Sequence, residues 1–110
     1  MSEITIIHSG ELLLMDPSDK RVIQMDWGAL PDGVTINSQV YTITTIKQVG
    51  ATVLTKDNES IAAGSRATQL RLLATTATAG DKYQVSNKIT TTESPAQEIE
   101  RSYFVRIENQ

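Results

Sequence analysis

The sequence predicts an all-β protein, an immunoglobulin-like antiparallel β-sandwich of about seven strands, and three observations lead there. Apolar and polar residues alternate with a period of two through most of the chain, and helical spacing is nearly absent. Short alternating runs recur at intervals of about 8 to 12 residues with turn residues between them, the pattern of a two-sheet sandwich. The length of 110 residues leaves room for one core, and 39% hydrophobic residues with 5% aromatics are enough to form it.

The elements follow in order. "SEITIIHSG" is strand-competent through Ile4, Ile6 and Ile7, and residues 1–10 are expected to form either an assembly arm or an ordinary first strand, with the sandwich spanning 11–110. In "RVIQMDW" Ile23, Met25 and Trp27 share one face, assigned to the core, while Val22, Gln24 and Asp26 share the other. "GALPDG" supplies Gly28, Pro31, Asp32 and Gly33 for a turn. "VTINSQVYTITT" is β-branched, with Tyr41 and Ile43 on one side and an irregularity expected at Asn37-Ser38. "ATVLT" reads as a short strand, and "KDNESIAAGS" as a loop that could carry a weak strand.

"RATQLRLLATT" contains good helix formers, but its Thr-Thr ending and flanking strands favour β, with Leu70, Leu72 and Ala74 inward and Arg71, Leu73 and Thr75 outward. In "DKYQVSNKITTT" Tyr83, Val85, Asn87 and Ile89 face one way and Gln84, Ser86, Lys88 and Thr90 the other. Following "TATAGDK", Tyr83 is placed for a tyrosine corner, its hydroxyl bonding to backbone upstream; the alternative is a half-buried β residue, structural in either case. Beyond the break at "ESPAQ", "EIERSYFVRIEN" puts Ile99, Tyr103, Val105 and Ile107 on one face and forms a hairpin with the strand before it.

Composition excludes several classes of function. A net charge of -3 argues against nucleic-acid binding, and the ten basic residues are scattered, so no basic patch is expected. Without cysteine there is neither a disulfide framework nor a thiolate metal site. The first ten residues lack the apolar core of a secretory signal, and the longest apolar run, Leu12 to Met15, is too short to span a bilayer. The expectation is a protein produced inside a cell, with no membrane partner.

No chemistry stands out. His8 is the single histidine, which rules out a His-rich metal site and leaves a triad without a well-placed base. The acidic pairs Asp16/Asp19, Asp57/Glu59 and Glu98/Glu100 look like solvated turns or outward faces. "DNE" at 57–59 lacks the ligand spacing of a calcium loop, and the six glycines are too dispersed for a phosphate cradle. Alternation assigns Trp27 to the core rather than to a sugar platform. No catalytic residue, cofactor or metal is therefore expected. The candidate contacts are instead the arm, through Ile4, Ile6 and Ile7, and the loop at Asp57, Asn58 and Glu59, whose other reading is a mobile solvent loop.

Two long stretches carry a resemblance. "DPSDKRVIQMDWGALPDGVTINSQVYTI" and "AGDKYQVSNKITTTESPAQEIERSYFVRI" together resemble a group of small tailed-bacteriophage virion proteins described as fibre-tail adaptors or Ig-like minor structural proteins. The shared elements are Asp16-Pro17, Asp26-Trp27, Asp32-Gly33, Thr35-Ile36, Gly80, Tyr83, Val85, Asn87, Thr90 to Thr92, and the closing strand Arg101 to Ile107. The chain departs from the group at "ESPAQE", where a tight glycine turn is usual, and at Tyr41, where tryptophan is usual. The resemblance implies a virion component without enzymatic activity that joins tail and fibres or the neck, with tail, portal or fibre proteins as partners and a homo-oligomeric state. A capsid-decorating protein bound to the major capsid protein is the alternative, and a carbohydrate-binding sandwich module a third.

Overall fold

β-branched and apolar residues at every second position give eight strands and no helix among the residues described by the computed structural model, which are 4–17, 19–27, 33–50, 54–62, 66–74 and 78–108. The strands are β1 (Ile4–Ile7), β2 (Leu12–Met15), β3 (Lys20–Asp26), β4 (Ile36–Lys47), β5 (Thr55–Ile61), β6 (Ala67–Leu73), β7 (Lys82–Thr91) and β8 (Glu98–Ile107). They build two four-stranded sheets, ordered β1-β3-β6-β5 and β2-β8-β7-β4, whose inner faces enclose one core. The all-β sandwich expected from the alternation is the fold found. It differs in detail: the strands number eight, and β1 with β3 and β2 with β8 pair in parallel, while every other pair is antiparallel.

The parallel pairs arise at a turn. β1 ends in His8-Ser9-Gly10-Glu11, where Gly10 has φ 84, a conformation that glycine adopts without steric cost. The chain then crosses from the first sheet to the second and is held there by Gly10 N donating to Ser102 O at 2.8 Å and Phe104 N donating to Glu11 O at 2.9 Å. Because it crosses, the segment contributes Ile7 to the core from one sheet and Leu13 and Met15 from the other.

The expected inward sets are buried: Ile23, Met25 and Trp27; Leu70, Leu72 and Ala74; Tyr83, Val85, Asn87 and Ile89; and Tyr103, Val105 and Ile107, with Ile99 of the last set only half-buried against the core. The segment with the helix alternative is a strand at the centre of its sheet, between β3 and β5, which shows pairing prevailing over local helix propensity. The irregularity expected at Asn37-Ser38 is a register shift between Ile36 and Ser38, and a second shift lies between Thr45 and Lys47. The segment read as a loop that could carry a weak strand is corrected in its main reading and bears out the alternative. Thr55–Ile61 is a full edge strand whose bulge between Asp57 and Ser60, with Asn58 at φ 53, breaks the alternation that would have revealed it. Of the expected features, residues 28–32 of the turn, residues 51–53 of the short strand, and Thr75 lie outside the described residues; Leu54 belongs to no strand and Thr55 begins β5.

A buried polar network ties the sheets together. Trp27 Nε1 donates to Asn87 Oδ1 at 3.1 Å and Thr68 Oγ1 at 3.2 Å, and Thr68 donates to Asn87 Oδ1 at 2.6 Å. Since the Thr68 hydrogen is thereby used, the Tyr41 hydroxyl donates to Thr68 Oγ1 across 2.8 Å. Asn87 Nδ2 in turn donates to Val40 O at 3.1 Å. Two members come from each sheet, so sliding one sheet over the other would strand several buried polar atoms. Arg101 stacks over the outer side of Trp27, its guanidinium carbon 5.1 Å from the ring centre.

Candidate functional site

The sequence candidates occupy two edges of the first sheet. Ile4 and Ile6 project outward from β1, while Ile7 is core, so the period of two divides the three isoleucines between solvent and interior. On β5, Asp57 accepts two hydrogen bonds from Arg71, Nε to Oδ1 at 2.9 Å and Nη2 to Oδ2 at 2.6 Å, and Arg71 holds the Asp57 carboxyl below the usual carboxylate range. Glu59 lies 3.2 Å from Lys56 Nζ, and Asn58 forms the bulge. Paired charges and a bulge are devices that blunt an exposed sheet edge. β5 is therefore guarded, and β1 is not.

The two structural candidates are fully buried. Trp27 anchors the network described above. The Tyr83 hydroxyl accepts the Leu54 amide, a direct bond to upstream backbone as the sequence suggested, and donates to Asp81 Oδ2 at 2.7 Å. That carboxylate is in turn held by backbone: it accepts Val49 N at 2.6 Å and Thr78 N at 3.1 Å, as well as the Gly50 amide. Burial works against the Asp81 charge, yet the Val49 amide, the Tyr83 hydroxyl and the Thr78 and Gly50 amides together hold its carboxyl below the usual range. Tyr83 itself is pushed up to about 12, by burial first and then by its bond to Asp81.

Large apolar side chains exposed among the described residues are confined to edges. They are Ile4 and Ile6 on β1, Leu12 and Leu14 on β2, and Val40, Ile46 and Val49 on or just beyond β4, each between 41% and 63% exposed. The central strands β3, β6, β7 and β8 carry none. On their outer sides β1, β2 and β4 thus combine unpaired backbone groups with apolar side chains, which is what a neighbouring chain needs in order to pair.

Cations that looked scattered also come together. Lys47, Lys82 and Arg106 stand directly opposite one another on β4, β7 and β8 and line a shallow pocket of about 280 Å³ with Leu12 and Gly80. The signal was absent from the linear sequence because a bulge, and not simple alternation, sets Lys47 opposite Lys82. No group of three or more His, Cys, Asp or Glu among the described residues is placed to hold a metal ion. His8 lies exposed at the β1–β2 turn, its Nδ1 3.0 Å from Glu11 Oε1. The aromatics offer no sugar platform: Trp27, Tyr41, Tyr83 and Tyr103 are buried, and Phe104 is half-buried with Lys82 Nζ 5.8 Å from its ring centre.

No protein-family model and no curated protein matches the sequence. Among solved structures the fold is similar to the crystal structure of a cysteine protease inhibitor, EhICP2, from Entamoeba histolytica, with a TM-score of 0.53. The alignment covers 96% of this chain and 95% of that one at 14% identity, so the likeness is one of fold.

Proposed function

We propose that this protein is a structural, non-enzymatic component of a tailed-bacteriophage virion, a tail or neck adaptor that acts by binding other protein chains along its sheet edges. The observation that carries the reading is that, among the described residues, large exposed apolar side chains are confined to β1, β2 and β4 with the residues just beyond it, which concentrates contact energy where backbone pairing is also open. The virion setting rests on the resemblance of residues 15–107 to the fibre-tail adaptor group. Opposite edges of one sheet, β2 and β4, both carry such residues, which suits head-to-tail contacts that close into a ring.

Light scattering after size exclusion, over a range of concentration, tests this together with co-purification against tail, portal and capsid proteins. A ring-sized oligomer, or a monomer captured by a tail or portal protein, fits the adaptor reading. A trimer that binds capsid protein moves the assignment to head decoration. A monomer that captures no virion protein and slows a cysteine protease would replace the reading with the activity named for its structural neighbour.

A further inference from the structure

We infer that the pocket formed by Lys47, Lys82 and Arg106 is a binding site for a phosphate group. Like charges set directly opposite on neighbouring strands repel, and here three stand in one row. The row is built rather than incidental. With regular pairing Ile46 would face Lys82, and the bulge between Thr45 and Lys47 substitutes the lysine. Bulges are a means by which sheets re-aim side chains at sites.

The cations are also available. Among the described residues neither lysine is in an ion pair; Lys82 lies beside the Phe104 ring, and Arg106 engages Glu108 through Nε at 2.9 Å. With one of three positive charges offset by Glu108, the pocket retains two. A phosphate group at neutral pH carries about -1.5 to -2, so the charges match. A single carboxylate would leave the row half-compensated. The row spans three strand positions, about 10 Å at an interstrand spacing of about 4.8 Å, which flexible lysines close around one tetrahedral oxyanion.

The test is a titration of the ¹⁵N-labelled protein with sodium phosphate, and in parallel with phosphoserine, at ionic strength held constant with sodium chloride. Saturable shifts of the Lys47, Gly80, Lys82 and Arg106 amides are expected. Lys47→Gln and Lys82→Gln should each weaken binding about fivefold, the upper range for loss of an exposed charge contact. Lys88→Gln, on the same strand as Lys82 but paired with Glu98, should leave it unchanged. Both row variants should melt at or above the parent temperature in phosphate-free buffer, since each relieves repulsion, which separates a lost site from a lost fold. Binding by phosphoserine as tight as by free phosphate identifies a monoester ligand, and weaker binding identifies the free anion. The inference is overturned if the shifts match those in chloride alone, if the row variants bind as the parent does, or if tetraglutamate or a single-stranded oligonucleotide binds more tightly than phosphate.

Discussion

Tyr83 and Tyr103 are both completely buried, on adjacent strands, and replacing each by phenylalanine removes one oxygen, yet the expected effects have opposite sign. The Tyr103 hydroxyl has no hydrogen-bond partner among the described residues, and burial drives its pKa up. A hydroxyl buried without a partner costs about 1–3 kcal/mol in protein mutational data, so Tyr103→Phe should stabilise by about 1 kcal/mol after the lost packing of the oxygen is deducted. The Tyr83 hydroxyl donates to a carboxylate and accepts the Leu54 amide. Hydrogen bonds to charged groups contribute about 1.5–3 kcal/mol, and a second group is orphaned, so Tyr83→Phe should cost about 2–3 kcal/mol. The variants then differ by about 3–4 kcal/mol. At a urea slope near 1.5 kcal/mol per molar, their unfolding midpoints should lie roughly 2 M apart. Trp27 fluorescence and far-ultraviolet circular dichroism, recorded on the same samples, report the midpoint and test two-state behaviour. If Tyr103→Phe lowers the midpoint as much as Tyr83→Phe does, the assignment of satisfied and unsatisfied hydroxyls is wrong.

Trp27→Ala should destabilise by roughly 3–5 kcal/mol in the same assay, through the cavity and through the donor lost to Asn87; little change would mean the ring is not core. Gly50→Ala would bring a methyl group to 1.9 Å from Thr78 Oγ1, so the melting temperature should fall and calorimetry should show it, whereas an unchanged value would place the loop elsewhere. Asp81 titrates below its unfolded value of about 3.9, so its contribution is intact above that pH and disappears as pH falls through the lower folded pKa. Asp81→Asn should therefore flatten the loss of stability on acidification below about pH 4, and an acid limb identical to the parent's would remove Asp81 from the account. On the proposed edge-pairing reading, replacing Ile4 and Ile6 together by lysine should lower the mass or the partner capture read in the assembly assay and leave the melting temperature nearly unchanged, because both side chains are exposed.

How far the fold could be read depended on where each strand sits. Interior strands such as β7 present one dry and one wet face, so Tyr83, Val85, Asn87 and Ile89 identified themselves by alternation. Even Asn87, polar and completely buried, followed the period, because the network around Trp27 satisfies it. Edges are harder. β5 has no fully buried position and is interrupted at Asn58, so Lys56 to Ser60 read as a loop. The parallel pairings of β1 with β3 and of β2 with β8 left no trace in the sequence, since a local pattern fixes a face and not a partner. The cation row was hidden for the same reason: Lys47, Lys82 and Arg106 meet only through cross-strand register, and that register contains a bulge.

The crossing at His8–Glu11 also bears on the order in which the sandwich can assemble. β2 is completed only by β8, with Leu12 to Met15 set against Phe104 to Ile107, so this pairing spans nearly all of the described chain. Pairings between residues so distant in sequence form late, because the entropy of closing the intervening chain must be met before the contact is gained. On a ribosome the four apolar residues of β2 emerge first and wait for their partner strand until β8 has been synthesised. During that interval "LLLM" is an unsatisfied strand. A truncation that removes β8 should leave it so permanently, exposing Leu13 and Met15 along with Leu12 and Leu14 and making the shortened chain prone to aggregate.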